Sequence, residues 1–392
     1  MDYGKKALEL HKELGGKIKI SSKVPLSDKD VLATLYTPGV GAVSRAIADD
    51  KSQAWALTGK SNSIAIVSDG TAVLGLGDIG PEAALPVMEG KAVFFAEFAC
   101  INAYPLCIKS ESADDVIDFV RAIAPTFGGI NLEDIKAPEC FEIEERLKDL
   151  GIPVFHDDQD GAAIVTLAAL INAAKVTGKN VRDLKVVIMG AGAAATATAW
   201  LLLGLEKWTD KRVPNLFFAP PKDVILVDSQ GIVTQNRTAL SQWKRKLAKV
   251  TNREQIRGGL GEALEGADAF IGLSSGGKLD GKLISKMHKR PIVFALANPN
   301  PEINPDDAKT AGASVVGTGR SDFPNQINNA LVFPGLFRGL LDARATKVTV
   351  QVKYAVAETL SSAVVPTKEQ ILPSVLDKTV HKRVSQAVQK AV

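Results

Sequence analysis

One stretch constrains this chain of 392 residues more than any other. The apolar run Leu184–Met189 passes without interruption into Gly190-Ala-Gly-Ala-Ala-Ala195 and then into an Ala/Thr/Leu-rich helical segment. A short run rich in branched residues and ended by glycine reads as a buried strand. Gly190 permits a tight strand-to-helix turn, Gly192 lets the backbone approach a pyrophosphate, and Ala195 lets the helix pack closely on the strand. Ala193 and Ala194 open that helix, whose free N–H groups and dipole suit bound phosphate. The glycine pattern alone also fits a small-residue packing turn. Set between a strand and a helix, it points to a dinucleotide.

The following segments extend this reading. Asp223–Val227, Ala269–Leu273, Ile292–Leu296 and Ser314–Val316 are short apolar units, each ending at a polar or glycine-rich loop. That is the pattern of a doubly wound parallel sheet of the Rossmann type, with its ligand outside the carboxyl ends of the strands. Asp228 ends the second unit with a carboxylate suited to a ribose diol. It is followed by Ser229 and Gln230 rather than by a cation, which favours NAD and leaves NADP open. The gap from Ala195 to Asp228 is longer than the usual ~20 residues. The surplus, residues 207–221, holds a Pro-Pro pair and reads as a surface insertion.

The first half also alternates strand-like and helix-like segments, as expected of an α/β catalytic domain. Ser63–Val67 and Ala72–Leu76 flank a turn and read as a hairpin or paired edge. Leu106–Lys109, Gly129–Leu132 and Pro153–Phe155 read as strands, with helices at Pro81–Phe98, Ala113–Ile123, Glu139–Leu150 and Gly161–Lys175. The expected organisation is a catalytic domain over 1–160 and a dinucleotide domain over 161–327. Helices over 328–392, broken at Pro334 and Pro366, are expected to pack back on both.

Composition excludes several classes. Hydrophobic residues at 46% and charged ones at 23% suit a packed globular chain. A net charge of +3 without a Lys/Arg run gives nucleic acid or an anionic membrane no electrostatic support as a partner. The first residues lack an apolar signal segment, and stretches such as Ala193–Leu205 fall short of the ~20 residues that span a bilayer, so the expected compartment is the cytoplasm. Cys100, Cys107 and Cys140 match neither a disulfide framework nor a zinc site and read as small buried hydrophobes.

Four segments place reactive groups where a cleft would need them. Tyr36 lies beside a Pro-Gly turn, and Lys91 lies within a mostly apolar helix. Glu133-Asp134 and Asp157-Asp158 each follow an apolar strand. Carboxylates at strand ends, without Cys/His pairs, suit a hard divalent cation such as Mg²⁺ or Mn²⁺. Taken singly, each has an ordinary reading: a half-buried tyrosine, a snorkelling lysine, helix-capping acids. Together, and ahead of a dinucleotide domain, they read as a site.

The segments YTPGV (36–40), SDGTAVLGLGDIGPEAALPVMEGKAVFF (68–95), NLEDI (131–135) and FHDDQ (155–159) lie in the first half. The GAGAAA turn (190–195), ALANPNPEI (295–303) and TGRSDFPNQINNALVFPGLFRGLLD (318–342) complete the set. On these segments the chain resembles the short, prokaryotic-type malic enzymes, which decarboxylate malate oxidatively to pyruvate and CO₂ with reduction of NAD(P). The resemblance implies that Tyr36 is the general acid that protonates the enol carbon. Lys91 is then the base that takes the C2 hydroxyl proton. Glu133, Asp134 and Asp158 hold the divalent metal, with Asp157 beside them in the proton network. Asn298 and Asn328 or Asn329 contact substrate or the nicotinamide end of the cofactor. A base at Lys91 must be neutral, so burial beside a cation is expected to lower its pKa. The resemblance also implies a homodimer whose active site borrows residues across the interface.

The chain departs from the family pattern in carrying Asp160 where His is usual and Glu139 where Arg is usual. It also has Thr71-Ala72 in place of the arginine-bearing loop of the long enzymes. Two alternatives stay open: a malate-to-lactate converter or dehydrogenase of another 2-hydroxy acid, and a non-catalytic NAD-binding protein.

Overall fold

Ten short strands rich in Val, Ile and Leu form two sheets in the computed structural model, which describes residues 3–214 and 216–392. The first sheet holds β1 (Ser63–Ser68), β2 (Asn102–Cys107), β3 (Gly129–Leu132) and β4 (Val154–His156) in the order β2-β1-β3-β4, all parallel. The second holds β5 (Lys185–Met189), β6 (Asp223–Asp228), β7 (Gly231–Ile232), β8 (Ala269–Gly272), β9 (Ile292–Ala295) and β10 (Val315–Thr318). Its order is β10-β9-β8-β5-β6-β7, parallel except for the antiparallel edge strand β7. Strand β5 lies between β6 and β8, so the strand order reverses at the glycine turn that follows it. In doubly wound sheets a ligand cleft opens at that point.

Several expectations are corrected. No hairpin follows β1: both of its neighbours, β2 and β3, are parallel and arrive from later in the chain. Residues 72–76 instead turn tightly, with an isolated bridge from Val73 to Gly77. Strand β2 begins earlier than its apolar residues suggest and contains Pro105. It lies at the sheet edge, where the missing N–H leaves no ladder bond unmade. Pro334 does not break a helix but sits in the first turn of Phe333–Asp342, where proline is compatible with helix geometry. Of the cysteines only Cys140 is buried, and Cys100 is exposed. The longest apolar helical run is Asp157–Thr177, and 83% of its most apolar window lies inside the protein, so it is a core helix.

The helix Gly80–Ala99 buries Ala84, Met88, Lys91, Ala92, Phe95 and Ala99. Their spacing of three to four residues makes one face, which places Lys91 on the stripe that meets the core. Helices Phe333–Asp342 and Lys378–Ala391 pack together and against Gly80–Ala99. A Cβ on Gly335 or Gly339 would collide with the His381 or Ser385 backbone carbonyl, so only glycine allows this approach. Helix Val350–Ser361 packs on Ala162–Thr177, and Tyr354 donates to the Leu201 carbonyl at 2.7 Å. Near the beginning, helices Tyr3–Leu14, Lys29–Leu35 and Val40–Asp49 bury none of their residues.

Candidate functional site

Two groups of polar side chains converge at the carboxyl ends of β3 and β4. After β3 the chain carries Glu133 and Asp134, both buried, with Asp134 at φ +54°. After β4 it enters a single π-helical turn, Asp157–Gly161, a rare form that recurs at functional sites. The turn needs glycine at 161, because a Cβ there would coincide with the Asp157 carboxylate. The buried stripe of Gly80–Ala99 delivers Lys91 between the two strand ends. Its Nζ contacts Glu133 Oε1 at 2.6 Å and donates to Asp157 Oδ2. The same ammonium lies 4.3 Å from the ring centre of Phe333. Asp158 accepts the Asp134 backbone N–H at 2.7 Å and is partly open, its side chain 29% exposed. Oxygens of Glu133, Asp134 and Asp158 lie within 4.8 Å of one another.

The surroundings lock this cluster in place. Asn131, buried in β3, donates to Glu133 Oε2 at 2.9 Å. Ala72 donates its N–H to the Asp134 carbonyl, and Asp69 accepts from the Thr71 backbone and hydroxyl and from Ser110. The 68–73 segment is thus a strap over the Asp134 loop.

Burial raises all four carboxyl pKa values. For Asp134, burial first and then the Asp158 and Glu133 charges push it to about 9. Glu133 rises to about 7 through burial and Asp158, against the opposing pull of Lys91. Asp157 rises to about 7 and Asp158 to about 6, burial again leading. Lys91 feels two opposing influences. Burial does pull its pKa down, but Asp157, Glu133 and Asp158 outweigh that and hold it above the ordinary lysine value. A neutral amine there requires those carboxylates to be protonated or otherwise neutralised. His156, fully buried at the end of β4, has its pKa depressed to about 3 by burial and by Lys207, so its ring is neutral.

A separate cleft opens in the other sheet, at the glycine turn after β5. A cavity of about 800 Å³ over the β5 turn is lined by Gly190, Gly192, Asp228, Lys244, Ser274 and Lys278, among others. Gly190 has φ +128°, and a Cβ on it would lie 2.5 Å from the Leu273 carbonyl oxygen. A Cβ on Gly192 would meet nothing, so that backbone faces open space. Ala193 and Ala194 begin the helix Ala193–Leu202, and Ala195 is fully buried beneath the turn. Asp228 is not a lone carboxylate. Arg237 engages both of its oxygens at 2.9 and 3.1 Å, and Lys244 contacts it at 2.7 Å, which lowers its pKa against the penalty of burial. An adjoining cavity of about 640 Å³ holds Asn298, with Gly75 of the first half on its wall. Glu302, fully buried, accepts from the backbone N–H groups of Ser274 and Ala297 and so ties the loops after β8 and β9 together.

The remaining expected residues divide. Asn329 packs against Gly161 beside Asp157, whereas Asn328 caps the short turn Asn329–Leu331 and lines a different cavity of about 770 Å³. Tyr36 is 68% exposed, and its side chain has no hydrogen bond or ring partner among the described residues. It is therefore not joined to the Lys91 cluster. Glu139 begins a helix and lies 3.8 Å from Lys136. Asp160 is not among the converging carboxylates Glu133, Asp134 and Asp158 but pairs with Lys207 and Lys353. The 207–221 segment is more than a surface insertion. Lys207 is 16% exposed and Trp208 packs on Phe141 and Trp243, which lie on helices of the two halves; Asn215 lies outside the described residues. Asn131, Phe333, Glu302, Arg237, Lys244 and Lys207 went unassigned in the sequence. Only Asn131, two residues before the acidic pair, carried a local signal.

Residues 15–148 match the family model described as malic enzyme, N-terminal domain, and residues 159–392 match that described as malic enzyme, NAD binding domain. The chain is 48% identical over 382 residues to the NAD-dependent malic enzyme of Geobacillus stearothermophilus, covering 96% of this chain and 77% of that protein. It is 47% identical over 396 residues to the bifunctional malic/malolactic enzyme of Bacillus subtilis, covering 100% of this chain and 93% of that one. The crystal structure of the NAD-dependent malic enzyme of Thermotoga maritima superposes with a TM-score of 0.92 at 46% identity, covering 98% of this chain and 99% of that one.

Proposed function

Since this chain belongs to the malic enzyme family, whose reaction is the oxidative decarboxylation of malate to pyruvate with NAD(P), we propose that the Lys91 cluster and the β5 cleft are the two halves of its active site. The observation that carries this reading is the direct contact of Lys91 with both Glu133 and Asp157 at the ends of adjacent strands. A buried lysine in that position is placed to take the C2 hydroxyl proton as hydride leaves C2 for the nicotinamide. Asp157, already bonded to the ammonium and with its carboxyl near pKa 7, is placed to hold the proton that frees the amine.

Glu133, Asp134 and Asp158 suit a divalent cation. Their oxygens converge, one buried oxygen of Asp134 has no hydrogen-bond partner, and their mutual repulsion calls for positive charge. An all-carboxylate set is the donor chemistry of Mg²⁺ or Mn²⁺. Bound there, such an ion supplies Lewis-acid stabilisation of the enolate that forms as CO₂ departs. Asn298, at the junction of the cleft and the first half, is placed for the nicotinamide or substrate, and Asn329 for the substrate side.

Tyr36 is the general acid of this reading, reached through a second copy of the chain. Support comes from helices 3–49, which present Leu8, Leu14, Leu32, Leu35, Val40 and Val43 to solvent together with Tyr36 itself. So many large apolar side chains left in water along one stretch of chain suit an interface, and a homodimer would carry Tyr36 to its partner's site. At Asp228, Arg237 and Lys244 offset the carboxylate and widen the cofactor reading from NAD toward NADP.

The test is malate-dependent NAD(P)H formation with Mn²⁺. Lys91→Ala is expected to lower kcat by about 10²–10⁴-fold with NADH binding intact, and near-wild-type turnover would refute the assigned base. Product analysis by NMR separates this reaction from a malate-to-lactate conversion, which yields lactate without net NADH.

A further inference from the structure

On the outer side of the Asp157–Gly161 turn lies a second group of charges that the reaction does not use. Lys207 Nζ contacts Glu144 at 2.7 Å, Gln159 Oε1 at 3.0 Å and Asp160 at 3.3 Å, and Lys353 Nζ contacts Asp160 at 2.5 Å. All four charged side chains are at most 17% exposed, and two carboxylates face two ammonium groups. A buried, balanced set of this kind adds little stability over apolar residues of the same size, but it fixes geometry.

The geometry at stake is that of the turn. Its inner face carries Asp157 against Lys91 and Asp158 against the Asp134 N–H, while Gln159 and Asp160 on its outer face are gripped from behind. The inner carboxylates repel one another, so beyond Lys91 and the Asp134 N–H their spacing depends on what grips the turn from outside. Lys207 can grip it, because its neighbour Trp208 is wedged 5.0 Å from the ring centre of Phe141 and 4.4 Å from that of Trp243. Phe141 and Glu144 lie on the first-half helix Glu139–Leu147, whereas Lys207 and Trp243 belong to the dinucleotide half.

We infer that Lys207 is a positioning residue of the divalent-cation site, supplied by the dinucleotide half and acting through Gln159 and Asp160 on the turn that presents Asp157 and Asp158. The inference rests on the cation reading given above.

The test measures Mn²⁺ binding to the full-length protein by calorimetry, without substrate. Lys207→Met leaves Asp160 and Glu144 with one lysine, so the charge-balanced pair Lys207→Met/Glu144→Gln is made beside it. Both are expected to weaken Mn²⁺ binding by about tenfold, the low end of what losing a group bonded directly to a metal ligand costs, because Lys207 acts one residue further out. Lys207→Arg is expected to restore most of the affinity. NADH binding, followed by fluorescence, is expected to stay within about twofold, since the polar contacts of Lys207 are to Glu144, Gln159 and Asp160 rather than to the β5 turn. Mn²⁺ affinity within twofold of wild type in the balanced variant would overturn the inference. So would joint loss of Mn²⁺ and NADH binding, which would make Lys207 a general packing residue. A wild-type protein that binds no Mn²⁺ would instead overturn the cation reading and this inference with it.

Discussion

Asp134 offers the sharpest test of the electrostatics at the strand ends. Its carboxyl is held near pKa 9 by burial and by the neighbouring Asp158 and Glu133 charges, whereas in the unfolded chain it titrates near 3.9. The folded state therefore keeps a proton that the unfolded state releases. The stability this proton contributes is complete below pH ~4 and is lost as pH rises toward 9. One such proton gives a slope of about −1.4 kcal/mol per pH unit. Between pH 7 and 8.5, above the titration of His156 in the unfolded chain, that amounts to about 2 kcal/mol. With an unfolding entropy of ~2.1 cal/mol/K per residue, 392 residues lose about 2.5 °C of Tm across that interval.

Differential scanning fluorimetry at a fixed scan rate measures the effect, and Asp134→Asn isolates it by removing the titrating group while every other group still titrates. Wild-type Tm is expected to fall by about 2–3 °C more than that of Asp134→Asn over this range. Mn²⁺ at about 100 times its Kd adds about 2.7 kcal/mol to the wild type. Because the ion takes deprotonated ligands, its protection grows with pH. Parallel Tm–pH lines for the two proteins, with equal Mn²⁺ protection, would refute both the raised carboxyl and its role toward a cation.

Two further outcomes follow from the same geometry. If Tyr36 acts across a dimer, Tyr36→Phe and Lys91→Ala are each nearly inactive alone. Mixed and allowed to exchange subunits, they recover up to about a quarter of wild-type turnover, the share of sites holding both native groups in a random mixture; no recovery places Tyr36 in its own subunit's site. Arg237→Ala with Lys244→Ala removes the cations beside Asp228, so KM for NADP is expected to rise about tenfold or more while KM for NAD stays within about threefold. An equal effect on both cofactors in steady-state assays would deny these residues a part in discrimination.

The parts of the fold that were legible in sequence are those in which the signal is local. The run Leu184–Met189, its glycine turn and the acids following β3 and β4 each declare themselves within about ten residues, and all lie where that pattern places them. The hairpin misreading shows the limit. Ser68-Asp69-Gly70-Thr71 is good turn chemistry, yet β1 pairs with strands tens of residues downstream, and nothing near residue 68 records those partners. The same holds for Lys207. Its neighbours Glu144, Gln159 and Asp160 are 47 to 63 residues away, so the segment looked like a loop until the two sheets met around it. Arg237 and Lys244 reverse the local electrostatics of Asp228 from nine and sixteen positions along the chain. A reading confined to Ser229 and Gln230 could not register them.

The two charge clusters that share the Asp157–Gly161 turn differ in a way that separates their roles. The outer one pairs Glu144 and Asp160 with Lys207 and Lys353 and is neutral as it stands. The inner one sets Glu133, Asp134, Asp157 and Asp158 against Lys91 alone and is short of positive charge. Removing carboxylates from water without full pairing is costly, and selection for stability alone would replace them with apolar residues of similar volume. Protonation relieves part of that cost, as the raised carboxyl pKa values show. A divalent cation relieves more, and it does so while leaving the carboxylates ionised, which also lifts from Lys91 the charges that hold its proton in place. On the proposed cation reading, the inner imbalance is what a site looks like that is destabilising until its ligand is bound, and the neutral outer cluster is what would hold it in register.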